Sequence, residues 1–184
     1  MKKLALILLL TIGIGVIFYF KFVIQPGVAT PGVSSRQEDA SSLERVDAID
    51  FSFQDLDGNK YKLSDFKGKV IILNIRFRKC GACAIEADLL EEFYSQIAAN
   101  DAVELVAVFE GEPAEVISKY IETIDVKFPV YLDPIGISAY KYRVNVYPSS
   151  FIIDKKFKIS AGVKGVLDWS SSDVADYLER LVNE

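Results

Sequence analysis

Histidine is missing from the 184-residue sequence altogether. That excludes a histidine general base, a Ser-His-Asp triad and any imidazole metal ligand. Cysteine is nearly missing too. Cys80 and Cys83 are the only two, too few to complete a structural zinc site unaided. With no cysteine earlier in the chain, attachment of a lipid near the N-terminus is disfavoured. Acidic residues are absent from positions 1–37, which hold four basic residues, Lys2, Lys3, Lys21 and Arg36. The remainder therefore carries 17 basic and 26 acidic residues, a net charge of −9. An acidic domain is a poor partner for nucleic acid, whose affinity depends on neutralising phosphates. Trp169, the sole tryptophan, reads as packing for the last helix, remote from any site.

What is present begins with an uncharged run of 17 residues, 4–20. Extended through Phe22, Val23 and Ile24, it is just long enough to cross a bilayer, which takes roughly 20 residues. It is long for a cleaved signal peptide, and Gly27-Val28-Ala29 is a weak cleavage site. An uncleaved, single-pass anchor in the cytoplasmic (inner) membrane is the favoured reading. With Lys2 and Lys3 held inside, the C-terminal bulk lies outside the cytoplasm. Residues 25–42, rich in Pro, Gly, Ser and Ala, read as a flexible linker. Residues 43–184 remain as the folded domain.

That domain alternates strand and helix signals. Residues 49–53 alternate apolar and polar, and Asp57-Gly58 marks a turn before a short strand at 60–63. Residues 70–77, VIILNIRF, predict a central strand covered on both faces. A helix is predicted over 80–100, with Ile85, Leu89, Phe93 and Ile97 forming its apolar stripe and Leu90 and Tyr94 beside them. A second buried strand follows at 103–109, then a helix at 112–124 with Pro113 in its first turn. Further on come a strand at 128–132, a helical turn at 135–142, a hairpin of 149–154 with 157–163, and a final helix at 170–181. Ser170 and Asp173 have the spacing of a capping box. This order predicts an α/β sandwich around a mixed sheet.

The chemistry-bearing stretch is Arg76-Phe-Arg-Lys-Cys-Gly-Ala-Cys-Ala-Ile-Glu86, where a buried strand ends and a long helix begins. A thiol at a helix N-terminus meets unpaired N–H groups and the positive end of the helix dipole, which favour the thiolate. Lys79, Arg78 and Arg76 could add positive charge. Cys80 is the expected nucleophile; Cys83, one turn further in, is the expected resolving thiol. A disulfide across two residues removes little chain entropy, so a purely structural staple is the weaker reading.

The domain resembles the TlpA/ResA-type branch of thioredoxin-like proteins, membrane-tethered extracytoplasmic thiol–disulfide oxidoreductases. The resemblance runs from about Phe51 to the C-terminus. It is carried by Asp55-Leu-Asp-Gly58, Leu63-Ser-Asp-Phe-Lys-Gly-Lys-Val70, the strand running into CGAC, and Tyr147-Pro-Ser-Ser-Phe-Ile-Ile-Asp154. It implies a thioredoxin-like three-layer sandwich and an active-site pair at Cys80 and Cys83. It implies a cis-proline at Pro148, with Tyr147 beside it in the substrate-facing support, and a thiol-tuning acid at Glu86. Asn74 stands where cytoplasmic thioredoxins keep a buried acid. No cofactor is implied beyond the redox-active disulfide. The implied partners are disulfides or thiols of exported proteins, apocytochrome c among them, and a membrane electron donor that re-reduces the site. Lys79 and Ala82 depart from the aromatic and the proline usual at those places, and the usual upstream tryptophan is absent. These departures bear on substrate surface and potential, with Lys79 a candidate for thiolate stabilisation.

Other functions compete. A peroxiredoxin-like peroxidase would need a Thr and a Pro framing the peroxide, where this sequence has Phe77 and a basic run. A copper chaperone of related fold would use two cysteines and a histidine. A non-catalytic thioredoxin-like interaction module would have kept only the frame of the site.

Overall fold

The computed structural model describes residues 45–184. The expected anchor at 1–24 and linker at 25–42 lie outside the described residues. Among the described residues no helix is long and apolar enough to cross a membrane.

The chain order is β1 (Val46–Asp47), β2 (Ser52–Asp55), β3 (Lys60–Lys62), a 3-10 turn (Leu63–Phe66), β4 (Val70–Arg76), α1 (Gly81–Ile97), β5 (Val103–Glu110), α2 (Ala114–Ile124), β6 (Val130–Asp133), α3 (Ile137–Lys141), β7 (Ser149–Ile153), β8 (Lys158–Lys164) and α4 (Ser172–Asn183). All eight strands join one sheet, in the order β1-β8-β7-β4-β5-β6-β2-β3. β4, β5 and β6 run parallel, β7 pairs antiparallel with β4, and the edges are antiparallel. This is the mixed sheet of a thioredoxin-like α/β fold.

The apolar run of β4 is central because both its faces are covered; every residue from Val70 to Arg76 is buried. Side chains alternate across a sheet. Val70 and Ile72 join Leu105, Phe109, Leu132 and Ile152 under Leu90 and Phe93 of α1, Ile117 of α2 and Leu178 of α4. Ile71, Leu73 and Ile75 face the other way, against Phe51, Phe53, Leu63 and Tyr142. The same alternation puts the two polar residues of β4, Asn74 and Arg76, on the α1 face. The hairpin turns use local chemistry. Gly58, at φ +86°, closes the β2–β3 turn by donating its N–H to the Asp55 carbonyl. The Asp154 carboxylate accepts the N–H groups of Lys156 and Lys158 at the β7–β8 turn.

Several local expectations shift. The buried face of α1 is Cys83, Glu86, Ala87, Leu90 and Phe93, whereas Ile85 is 67% exposed. The buried stripe thus starts from the cysteine, rotated away from the one drawn through Ile85. The α4 cap is Ser171, which accepts from the Val174 N–H. Ser170 instead binds the Asp168 carboxylate through its N–H and hydroxyl. Pro113 is the N-cap of α2 and precedes its first turn. β1, a two-residue strand on β8, has no periodicity that would reveal it in sequence.

Candidate active site

Cys80 sits at the point where the chain leaves β4 and enters α1. It is the N-cap residue, with extended backbone, and its Sγ accepts the backbone N–H of Cys83 at 3.0 Å. The two cysteines are joined as a disulfide with Cα atoms 5.2 Å apart. Cys80 is 8% exposed and Cys83 only 1%. An N-cap sulfur receiving an amide N–H is well placed to carry negative charge once the bond is opened. Of the two residues Cys80 is the slightly more exposed.

Beneath the pair, the α1 face of the sheet supplies polar groups. Glu86, fully buried, accepts the Asn74 amide N–H at 2.9 Å on one oxygen. Its other oxygen accepts the Trp169 indole N–H at 3.2 Å and the Leu167 backbone N–H at 3.3 Å. Asn74 also donates to the Ser150 hydroxyl at 2.9 Å, as their direct pairing between β4 and β7 allows. Trp169 is thus not remote. The loop after β8 brings it back over α1, where it caps Glu86 and packs on Phe93 at a ring separation of 5.1 Å. Nothing in sequence spacing joins Trp169 to Glu86, 83 positions apart.

Arg76 is fully buried. It donates to the Cys83 carbonyl, and its guanidinium lies 5.3 Å from the Phe109 ring centroid and 5.6 Å from that of Phe128. Burial pushes its pKa down, with Glu86 and Tyr120 opposing. The sequence suggests only that Arg76 could add positive charge near the thiol; the period-two alternation of its strand is the signal that it points inward.

Pro148 follows a cis peptide bond from Tyr147 and is buried. It immediately precedes β7, whose Ser149 pairs with Ile75, so it stands at the sheet end from which the cysteine loop departs. The Pro148 carbonyl accepts the Gly165 N–H at 2.7 Å. The Tyr147 ring meets Phe77 edge-on at 4.8 Å, which couples the proline loop to the cysteine loop. Tyr147 also donates its hydroxyl proton to Glu110 at the end of β5. Burial raises the Glu110 pKa; the Tyr147 hydrogen bond opposes this and nearby Asp133 adds to it. Lys79 is exposed and makes no ion pair or side-chain hydrogen bond among the described residues. Arg78 pairs with Glu112 at 3.2 Å. Among the described residues no cluster of three or more acidic, histidine or cysteine side chains is placed to hold a metal.

A thioredoxin-like sheet with a disulfide at the N-terminus of its first long helix, facing a proline loop, defines the class of dithiol–disulfide exchange proteins. The chain belongs to the AhpC/TSA family, whose model matches residues 45–161. It is 31% identical over 134 residues to the thiol-disulfide oxidoreductase ResA of Geobacillus thermodenitrificans, covering 73% of this chain and 75% of that one. Among solved structures, a candidate thiol:disulfide interchange protein DsbE from Chlorobium tepidum superposes with a TM-score of 0.67 at 25% identity, over 77% of this chain and 99% of that one. The exposed lipoprotein thioredoxin of Streptococcus pneumoniae gives 0.62 at 27% identity, over 72% and 100%.

Proposed function

We infer that this chain is a membrane-anchored, extracytoplasmic thiol–disulfide oxidoreductase acting on disulfides of exported proteins. The observation that carries the catalytic reading is the Cys80–Cys83 disulfide at the head of α1, with the Cys80 sulfur held by a helix N–H. In the reductive direction the Cys80 thiolate attacks a substrate disulfide. One substrate sulfur leaves as a thiolate and the other is joined to Cys80. Cys83 then attacks the Cys80 sulfur, the Cys80–Cys83 bond forms, and the second substrate sulfur departs. Two electrons have passed to the substrate, and a membrane electron donor must return two electrons and two protons to reset the pair. Pro148 and Tyr147 would line the edge where substrate backbone lies, and Glu86 would influence the thiols from below. Lys79, exposed beside Cys80, would meet substrate or thiolate.

Residues 1–24 would anchor the protein, 25–42 would tether it, and the remainder would work outside the cytoplasm. The acidic domain suits protein substrates rather than nucleic acid. The test is to equilibrate the full-length chain in glutathione and dithiothreitol buffers and to follow insulin reduction. A reversible two-electron couple with turnover is expected. A disulfide that resists strong reductant, or thiols that never pair, would sink the reading in favour of a non-catalytic module. Labelling of intact cells with a membrane-impermeant thiol reagent tests the location: Cys80 should react after mild reduction without lysis.

A further inference from the structure

Cys83 poses a chemical problem that Cys80 does not. To resolve a mixed disulfide it must act as a thiolate, yet it is 1% exposed, and burial in apolar surroundings favours the neutral thiol. The helix N-terminus does not solve this. The first-turn N–H that reaches a sulfur is that of Cys83 itself, and it is spent on Cys80. Glu86, on the same face one turn further along, is an acid and supplies no cation. Among the described residues Arg76 is the only fully buried basic side chain. It grips the carbonyl of Cys83, the residue that bears the sulfur in question. Two of its nitrogens, Nε and Nη1, are buried without a hydrogen-bond partner among the described residues. Its other neighbours are the Phe109 and Phe128 rings. Tyr120 of α2 is the remaining titratable group that acts on it.

We propose that Arg76 is the positioning residue that makes Cys83 a competent resolving nucleophile, its buried guanidinium stabilising the Cys83 thiolate while Cys80 is joined to substrate. The proposal rests on the exchange mechanism above. In that step Cys83 gives up its proton and its thiolate attacks the Cys80 sulfur. The Cys80–substrate bond breaks as the Cys80–Cys83 bond forms, and the substrate thiolate leaves and takes up a proton. Nε–H and Nη1–H are donors without partners among the described residues, and the carbonyl contact fixes the guanidinium against the first turn of α1. Arg76 therefore serves the second half of the reaction, while the helix N-terminus serves the first.

The experiment isolates Cys83 in the full-length chain with Cys80→Ser and follows thiolate absorbance against pH. Adding Arg76→Met should raise the Cys83 titration midpoint by roughly 1–3 pH units, the shift expected when a nearby opposite charge is removed. Arg76→Lys, which keeps the charge, should restore most of that shift. Arg76→Gln gives the same reading as Arg76→Met should the latter fail to fold. A merely structural Arg76 would change the thermal midpoint and leave the titration where it was. A folded neutral variant with the Cys83 midpoint unmoved overturns the proposal. Insulin reduction by the unsubstituted chain is measured in parallel. Turnover there with an unmoved midpoint sinks the role of Arg76 alone, whereas no turnover sinks the exchange mechanism itself.

Discussion

Cys80 and Cys83 are three residues apart, yet their surroundings differ, and in the proposed mechanism that difference divides the work between them. Cys80 meets solvent and a helix N–H; Cys83 meets the interior. Replacing Cys83 by serine should therefore leave a chain that attacks substrate and stops, accumulating a Cys80-linked mixed disulfide visible on a non-reducing gel. Replacing Cys80 by serine should abolish turnover and leave no such adduct. Glu110 allows a pH prediction. Its pKa is raised in the folded protein, chiefly by burial, so the native state binds the proton more tightly than the unfolded chain. Stability is then fullest below the ordinary carboxylate value and declines as pH rises through the raised one. Glu110→Gln keeps an acceptor for the Tyr147 hydroxyl and removes the titration. Its thermal midpoint should fall less than that of the unsubstituted protein between about pH 4 and pH 7. An identical decline in both would show that Glu110 is not responsible.

At the scale of the element, α1 illustrates how a helix can be predicted in the right place with most of its apolar stripe buried and one member, Ile85, left in solvent. Its existence is legible from apolar spacing, and its start from the site where β4 ends. The rotation follows Glu86, whose carboxylate points inward to reach Asn74 and Trp169, with Cys83 buried on the same face. Turning these inward leaves Ile85 in solvent. Leu90→Ala should cost about 2–5 kcal/mol, as for other buried leucines, whereas Ile85→Ala should stay within about 0.5 kcal/mol, as exposed substitutions do. Urea midpoints of the two variants measure the difference. Equal losses would mean that the helix is rotated toward Ile85 after all. In α4 the cap moved by one residue because Asp168 captures Ser170 and leaves Ser171 to meet the Val174 N–H.

The described domain is closed by its ends. Arg45 donates to Asp154 at 2.9 Å and to both oxygens of Glu184, at 2.6 and 2.8 Å. It thereby ties the residue before β1, the β7–β8 turn and Glu184 together. Hydrogen bonding to Arg45 lowers the Glu184 pKa, but the group is largely exposed and solvent screens most of the effect. Arg45→Ala should cost about 1 kcal/mol or less, read as a small drop in thermal midpoint that shrinks further in high salt. A drop independent of salt would place the contribution in packing of the arginine stem. A chain started beyond Asp47 would lose both Arg45 and β1.

The sequence by itself determined the α/β class, the strand–loop–helix setting of CGAC, and the likeness that pointed to Pro148 and Glu86. Those features depend on neighbours in the chain: apolar periodicity, a helix start, a short spacing between two thiols. Only the tertiary structure decided what lies beneath the thiols. Trp169 reaches Glu86 from a distant loop, Ser150 reaches Asn74 across a strand pair, and Arg76 is enclosed by rings from β5 and the segment before β6. Buried polar groups must find partners wherever the packed chain offers them, and a sheet brings together residues far apart in sequence that no local pattern records.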